Sequence, residues 1–250
     1  MLLETLLPMF VLLGLATLLQ TLSGFGFGLM VVSSFTLFNI MPLTATTFLV
    51  CFLSLFNSIS LVIKSREHIN TRAFRIIVIS GIPFMILGYA LLEYLSEQTA
   101  SWLNIILGFA ILSCCALLLI KRKHTAPSGK AYGFSIAGAL GGLLGGLFST
   151  FGPPVVFQCY RQQWPINQIR ITLLAVFSVT AAIRLAIIPF GTLPSQGTLL
   201  LTVCAIPVVL IFTRIGRLLA AKVDASFVRL LALLMLTASG ATLIIKSLPV

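Results

Sequence analysis

A chain of 250 residues with 59% hydrophobic and only 8% charged residues, and a mean hydropathy of +1.14, cannot cover a water-facing globule; soluble domains carry about a quarter charged residues. Its formal charge of +11 would point to nucleic acid in a soluble protein, but the basic residues sit mostly in short loops between apolar runs, where they set membrane orientation. Composition therefore excludes a soluble globule, argues against a nucleic-acid partner, and leaves one all-α, polytopic membrane domain over residues 1–250 whose first partner is the lipid bilayer.

Eight hydrophobic elements are predicted, near residues 2–40, 41–63, 74–95, 100–120, 131–160, 168–190, 197–215 and 226–246. The first opens on Met1-Leu2-Leu3-Glu4, with no basic residue ahead of the apolar run, so it lacks the n-region of a signal peptide and is expected to be retained. It is also nearly twice as long as the roughly 20 residues that one crossing needs. Such a length suits a helix that enters, breaks and returns, and Gly24-Phe25-Gly26-Phe27-Gly28 supplies the break. The element at 131–160 is likewise long and is expected to break at Gly152-Pro153-Pro154. The run Gly138, Gly141, Gly142, Gly145, Gly146 ahead of it reads as close helix packing.

The chain reads as an internal duplication. Leu22-Ser23-Gly24-Phe25-Gly26 aligns with Phe148-Ser149-Thr150-Phe151-Gly152, and Gly81-Ile82-Pro83-Phe84 aligns with Ala205-Ile206-Pro207-Val208, at nearly equal offsets. Repeat 1 is assigned to 1–120, a linker to 121–130, and repeat 2 to 131–250. Charge then decides their relative orientation. If all eight elements simply cross, basic residues divide nine against six: Lys64, Arg66, Arg72, Arg75, Lys121, Arg122, Lys123, Lys130 and Lys246 face Arg161, Arg170, Arg214, Arg217, Lys222 and Arg229. If the first and fifth elements re-enter and return, all of these except Lys246 share one face. The positive-inside rule favours the second arrangement. It predicts two inverted repeats, each a re-entrant broken helix hairpin plus three transmembrane helices, with both termini outside and the linker in the cytoplasm.

A broken helix in lipid leaves backbone groups unpaired unless protein or a watery cavity surrounds them, and free N–H groups at a half-helix start suit an anion. The expected substrate site is therefore Ser23, Gly24, Phe25, Gly26 and Gly28 facing Ser149, Thr150, Gly152 and Pro153 at the midplane, where repeats commonly meet; the competing reading is that these glycines serve packing alone. Arg184, well inside its apolar run, either attracts or gates an anion or snorkels to the outer interface near Pro189. Gln20, Asn57 and Gln158 are polar residues in apolar runs that suit either the site or interhelical hydrogen bonds. No carboxylate lies inside an apolar run, so a buried acidic proton relay is not expected. No Ser, His and Asp set converges, which argues against an enzyme. Cys51, Cys114, Cys115, Cys159 and Cys204 form no C-x-x-C pair, and neither a metal nor another cofactor is expected.

Two motifs carry a family resemblance. Gly138-Ala-Leu-Gly-Gly-Leu-Leu-Gly-Gly-Leu-Phe-Ser-Thr-Phe-Gly-Pro-Pro154 with Arg161-Gln-Gln-Trp-Pro165 resembles the second-half signature of the sulfite exporter TauE/SafE family, and Ser23-Gly-Phe-Gly-Phe-Gly28 with Met41-Pro42 fits its first half. Many members have more glycine at the first break, where Phe25 and Phe27 stand here. The resemblance implies a secondary transporter of the bacterial inner membrane that exports a small sulfur-containing anion such as sulfite, thiosulfate or an organosulfonate, often driven by the proton gradient. An anion channel, a transporter of another small organic anion and a membrane scaffold stand as alternatives, the last weakened by the absence of a large soluble loop. A homo-oligomer is compatible with this reading.

Overall fold

The computed structural model describes residues 2–96, 131–190 and 193–219, with isolated positions between 105 and 116 and between 234 and 244. Among these the chain is helical and contains no strand. Hydrocarbon offers the backbone no partner, so apolar runs satisfy their N–H and C=O groups within helices. The helices are α1 (Leu2–Ser23), α2 (Phe27–Leu37), α3 (Leu43–Val62), α4 (Thr71–Ser96), α5 (Ala131–Phe148), α6 (Gly152–Tyr160), α7 (Ile166–Ile187) and α8 (Gln196–Leu219), with single 3-10 turns at Arg66–His68 and Ile188–Phe190. Of these, α3, α4, α5, α7 and α8 are long and apolar enough to cross a bilayer. The elements predicted at 100–120 and 226–246 lie largely outside the described residues.

Both long elements are broken, at slightly different places from those the residues suggested. The first break runs from Gly24 to Gly26, whose φ angles of 84° and 96° fall where side chains with a Cβ are disfavoured. The Ser23 hydroxyl ties this turn, 2.7 Å from the Leu19 carbonyl and 2.9 Å from that of Phe25. The second break is a correction: α5 stops at Phe148, Ser149 turns the chain with a φ of 56°, and Gly152-Pro153-Pro154 begin α6 instead of interrupting a helix. Proline fits the first turn of a helix, where its missing N–H would have no intrahelical acceptor.

Helix packing follows the small residues. On α4 and α5, a Cβ at Gly142 would run into the Gly81 carbonyl, and one at Gly146 into the backbone of Met85 and Gly88; the two helices run parallel with backbones in close approach. On α1 and α8, Gly14 receives the Phe212 ring and Gly216 receives Thr21, again in parallel. Between these pairs α3 and α7 pack antiparallel: Leu61 clusters with Ile171 and Leu174, and the Asn70 N–H donates to Thr172 Oγ1 at 3.0 Å. Helix α3 also contacts α8, and α4 contacts α7. Outward-facing Val11, Ile79, Leu87, Leu200, Val203 and Ile211 are exposed and apolar, the composition that a lipid-facing surface requires. One end of the bundle gathers Lys64, Arg170 and Arg217; the other gathers Pro42, Glu93, Pro194 and Ser195.

Candidate functional site

The two helix breaks meet. A Cβ at Gly28 would stand 3.0 Å from the Ser149 carbonyl oxygen and 2.9 Å from Thr150 Cγ2, so glycine is what permits the start of α2 to lie against the second break. Around this crossing is a cavity of about 40 Å³, room for a few waters. Of the residues expected at a site, Gln20, Gly26, Gly28, Ser149, Thr150, Gly152 and Arg184 line it. Ser23, Gly24 and Phe25 do not line it: the Phe25 ring meets Tyr160 edge-on at 6.1 Å, the Tyr160 hydroxyl donates to the Ser23 carbonyl at 3.1 Å, and Gly24 abuts the Arg170 backbone. Gln158 is directed at Gly133 of α5, and Pro153 is the second residue of α6.

Hydrogen-bond donors at the cavity come chiefly from α2. Its N-cap, Gly26, has no side chain to cap the helix, and the first-turn amides have no intrahelical acceptor; the helical ladder starts with the Met30 N–H on the Gly26 carbonyl at 2.9 Å. Helix α6 starts at Gly152, also without a side-chain cap, but its two prolines carry no N–H. Two of the hydroxyls expected to contact a ligand, those of Ser23 and Ser149, are already engaged. Ser149 lies 2.8 Å from the Thr47 carbonyl, to which it donates, and accepts from the Cys51 thiol at 3.3 Å.

Arg184 is 2% exposed, so it does not reach the outer interface and the snorkelling alternative is set aside. Its Nη1 donates to the carbonyls of Gly145 and Gly146, closing the C-terminal turn of α5, and its guanidinium lies 5.4 Å from the centre of the Tyr89 ring. Its Nε is buried with no hydrogen-bond partner among the described residues. The same side chain also borders a second cavity of about 230 Å³, lined by Tyr89, Glu93, Ser195 and Thr198 towards one end of the bundle. Arg184 is thus a wall shared by the central and end cavities. Among the described residues, no carboxylate lines the central one.

Behind the cavity, Asn57 joins three helices. Its Nδ2 donates to Gln20 Oε1 at 2.6 Å, while its Oδ1 accepts from Thr21 of α1 at 3.2 Å and Thr213 of α8 at 2.8 Å. Gln20 Nε2 donates in turn to Ser54 at 3.0 Å. Asn57 therefore supports the wall and does not line it. Sequence reasoning missed Cys51, Ser54 and Thr180, all lining residues. A signal existed for two of them: Ser54 follows Cys51 by one helical turn, and Thr180 precedes Arg184 by one turn, on the same helix faces.

The profile of the sulfite exporter TauE/SafE family matches residues 9–243. The chain belongs to the sulfite exporter TauE/SafE family. It is also 33% identical over 252 residues to the "Probable sulfite/organosulfonate exporter TauE" of Cupriavidus necator, a match that covers 98% of this chain and 96% of that protein. No solved structure matches the chain. Membership places this TauE/SafE protein among multi-pass membrane transporters and not among enzymes.

Proposed function

We propose that the chain is a secondary exporter of a small sulfur oxyanion or organosulfonate, sulfite and thiosulfate included, in the bacterial inner membrane, and that the anion is held where the two breaks cross. One observation carries this reading: uncapped amides of α2 and a buried guanidinium converge on one cavity that no described carboxylate lines. Fixed N–H dipoles and a cation in a water-poor site favour an anion. The name of the Cupriavidus necator relative points to the same substrate class.

The transport cycle in this proposal uses two inverted repeats. Exchanging α1, α2, α3 and α4 with α5, α6, α7 and α8 maps the α1–α8 contact onto the α4–α5 contact, and α3–α8 onto α7–α4. Equivalent helices α3 and α7 start after Pro42 and Pro165 with near-identical dihedrals, φ −54° and ψ 149° against φ −54° and ψ 141°, and they run in opposite directions. Such an arrangement suits alternating access around a fixed central site. It also favours a transporter over an open channel, since Arg184 stands between the central and Glu93-lined cavities. Proton coupling belongs to the same reading: Glu93, hydrogen-bonded to Tyr89, is a carboxylate facing that outer cavity.

The test is sulfite flux in proteoliposomes of the purified chain. The expected result is saturable flux that accelerates under an imposed pH gradient and disappears in Gly152→Val. Flux that follows only the sulfite gradient would make the protein a channel, and unchanged flux in Gly152→Val would move the site elsewhere.

A further inference from the structure

Arg170 is a partly buried cation at the basic end of the bundle. It lies in the second turn of α7 (Ile166–Ile187), near the positive end of the helix dipole, whereas cations are stabilised at the C-terminal end. Its Nε is buried and has no hydrogen-bond partner among the described residues. It lines a cavity of about 250 Å³ together with Lys64, Ser65, Asn167 and Arg217, and no described carboxylate lines that cavity. Lys64 and Arg217 by themselves are ordinary, since both follow or end helices whose C-termini favour positive charge. The positive-inside rule accounts for the end of the bundle at which Arg170 lies, but not for its buried, unpartnered Nε, and the three cations share one hollow with no described carboxylate to offset them.

The hollow also lies in line with the central cavity. Cys51 and Ser54 border the central cavity, Ser58 is within 3.5 Å of Gln20 Nε2, and Leu61 and Ser65 border the basic hollow. Spacings of three and four residues put Cys51, Ser54, Ser58 and Leu61 on one face of α3, and Ser65 follows just beyond the end of that helix. At the first break, Gly24 abuts the Arg170 backbone, so one residue of the hollow packs against the turn that presents the α2 amides.

We infer that the hollow formed by Lys64, Arg170 and Arg217 is a second oxyanion site, separate from the central cavity, at which an anion is loaded before it reaches the helix breaks. The loading role rests on the proposed export function; the oxyanion chemistry does not. A free sulfur oxyanion and an anionic lipid headgroup share that chemistry, and the experiment separates them.

Purified chain in phosphatidylcholine nanodiscs is titrated with sodium sulfite at low and high salt, as wild type, Lys64→Gln/Arg217→Gln and Gly152→Val. Both glutamine positions have accessible side chains, and the exposed Lys64→Gln single variant serves as a folding control. Wild type is expected to show a salt-sensitive binding component that the double variant weakens roughly tenfold, the scale of one charge-assisted hydrogen bond, and that Gly152→Val retains. In a second arm, native mass spectrometry reads phosphatidylglycerol retained from mixed-lipid nanodiscs; retention by wild type and loss in the double variant identifies the headgroup as occupant. If the double variant matches wild type in both arms, no oxyanion site exists there. That failure is distinct from failure of the export reading, which would appear as absent sulfite flux.

Discussion

Arg184 shows how one side chain can do two jobs. Its Nη1 completes the carbonyl end of α5 while its Nε remains without a described partner at the central cavity. Removing it should therefore cost both structure and transport. Arg184→Ala is expected to lower stability by about 1.5–3 kcal/mol, the range for hydrogen bonds to a charged group, and to abolish sulfite flux. Arg184→Lys should keep charge but lose the planar fork, restoring part of the flux; thermal unfolding and proteoliposome flux measured on the same preparations check both. The glycines differ in an equally specific way. Gly26 has a φ of 96° and a Cβ there would lie 2.9 Å from Leu19 Cδ2, whereas a Cβ at Gly152 would meet only Leu29 Cδ1 at 3.9 Å. Gly26→Ala should thus lower the unfolding temperature by a few degrees, while Gly152→Ala should fold as wild type and bind sulfite less tightly. Equal loss of stability in the two would contradict this assignment.

Among the elements, the α4–α5 contact and the α1–α3–α8 junction are held by opposite means. The first depends on missing side chains: a methyl group at Gly142 must displace the Gly81 backbone, so Gly142→Ala should separate the helices and lower stability by about 1–3 kcal/mol, as overpacking does. The second depends on a filled polar network. Asn57→Leu would leave Gln20 Oε1 and the Thr21 hydroxyl short of a partner, while Thr213 keeps the Val209 carbonyl, at about 1–3 kcal/mol for a buried unsatisfied group. Thermal unfolding in one detergent should show both losses, and Gly141→Ala offers a comparison, since its Cβ would press instead on Val155 and the Phe151 carbonyl of α6. The glycines from Gly138 to Gly146 form one run in the sequence, but the helix divides them, with Gly138, Gly142 and Gly146 towards α4 and Gly141 and Gly145 towards the second break.

For the whole molecule, the proposed inverted repeats require a definite orientation. Lys64, Arg170 and Arg217 gather at one end of the bundle and Glu93 at the other, in keeping with the positive-inside rule. A reporter active only in the cytoplasm should signal when inserted in the 121–130 linker and stay silent when fused to Val250. Signal at Val250 would require an odd number of crossings after the linker to become even, and the inverted arrangement would fall.

Membrane residence, the two helix breaks and the family were legible in the sequence because each rests on local chemistry. Apolar runs of a given length must be helical in lipid, glycine marks backbone that other residues avoid, and family motifs are linear. The placement of individual side chains was not legible. Ser23 and Ser149 looked alike as ligands, but Ser23 satisfies its own turn and Ser149 bonds the Thr47 carbonyl of α3 at the cavity wall, Phe25 and Phe27 differ by two residues yet only Phe27 lines the cavity, and the direction of Arg184 was undetermined until α5 supplied its acceptors. These outcomes depend on which helix lies opposite, and that is decided by packing between residues more than a hundred positions apart, such as Ser149 with Thr47 and Gly24 with Arg170. A polar residue in an apolar run announces that it needs a partner; only the tertiary structure supplies the partner and so decides whether the residue braces a wall or faces a cavity.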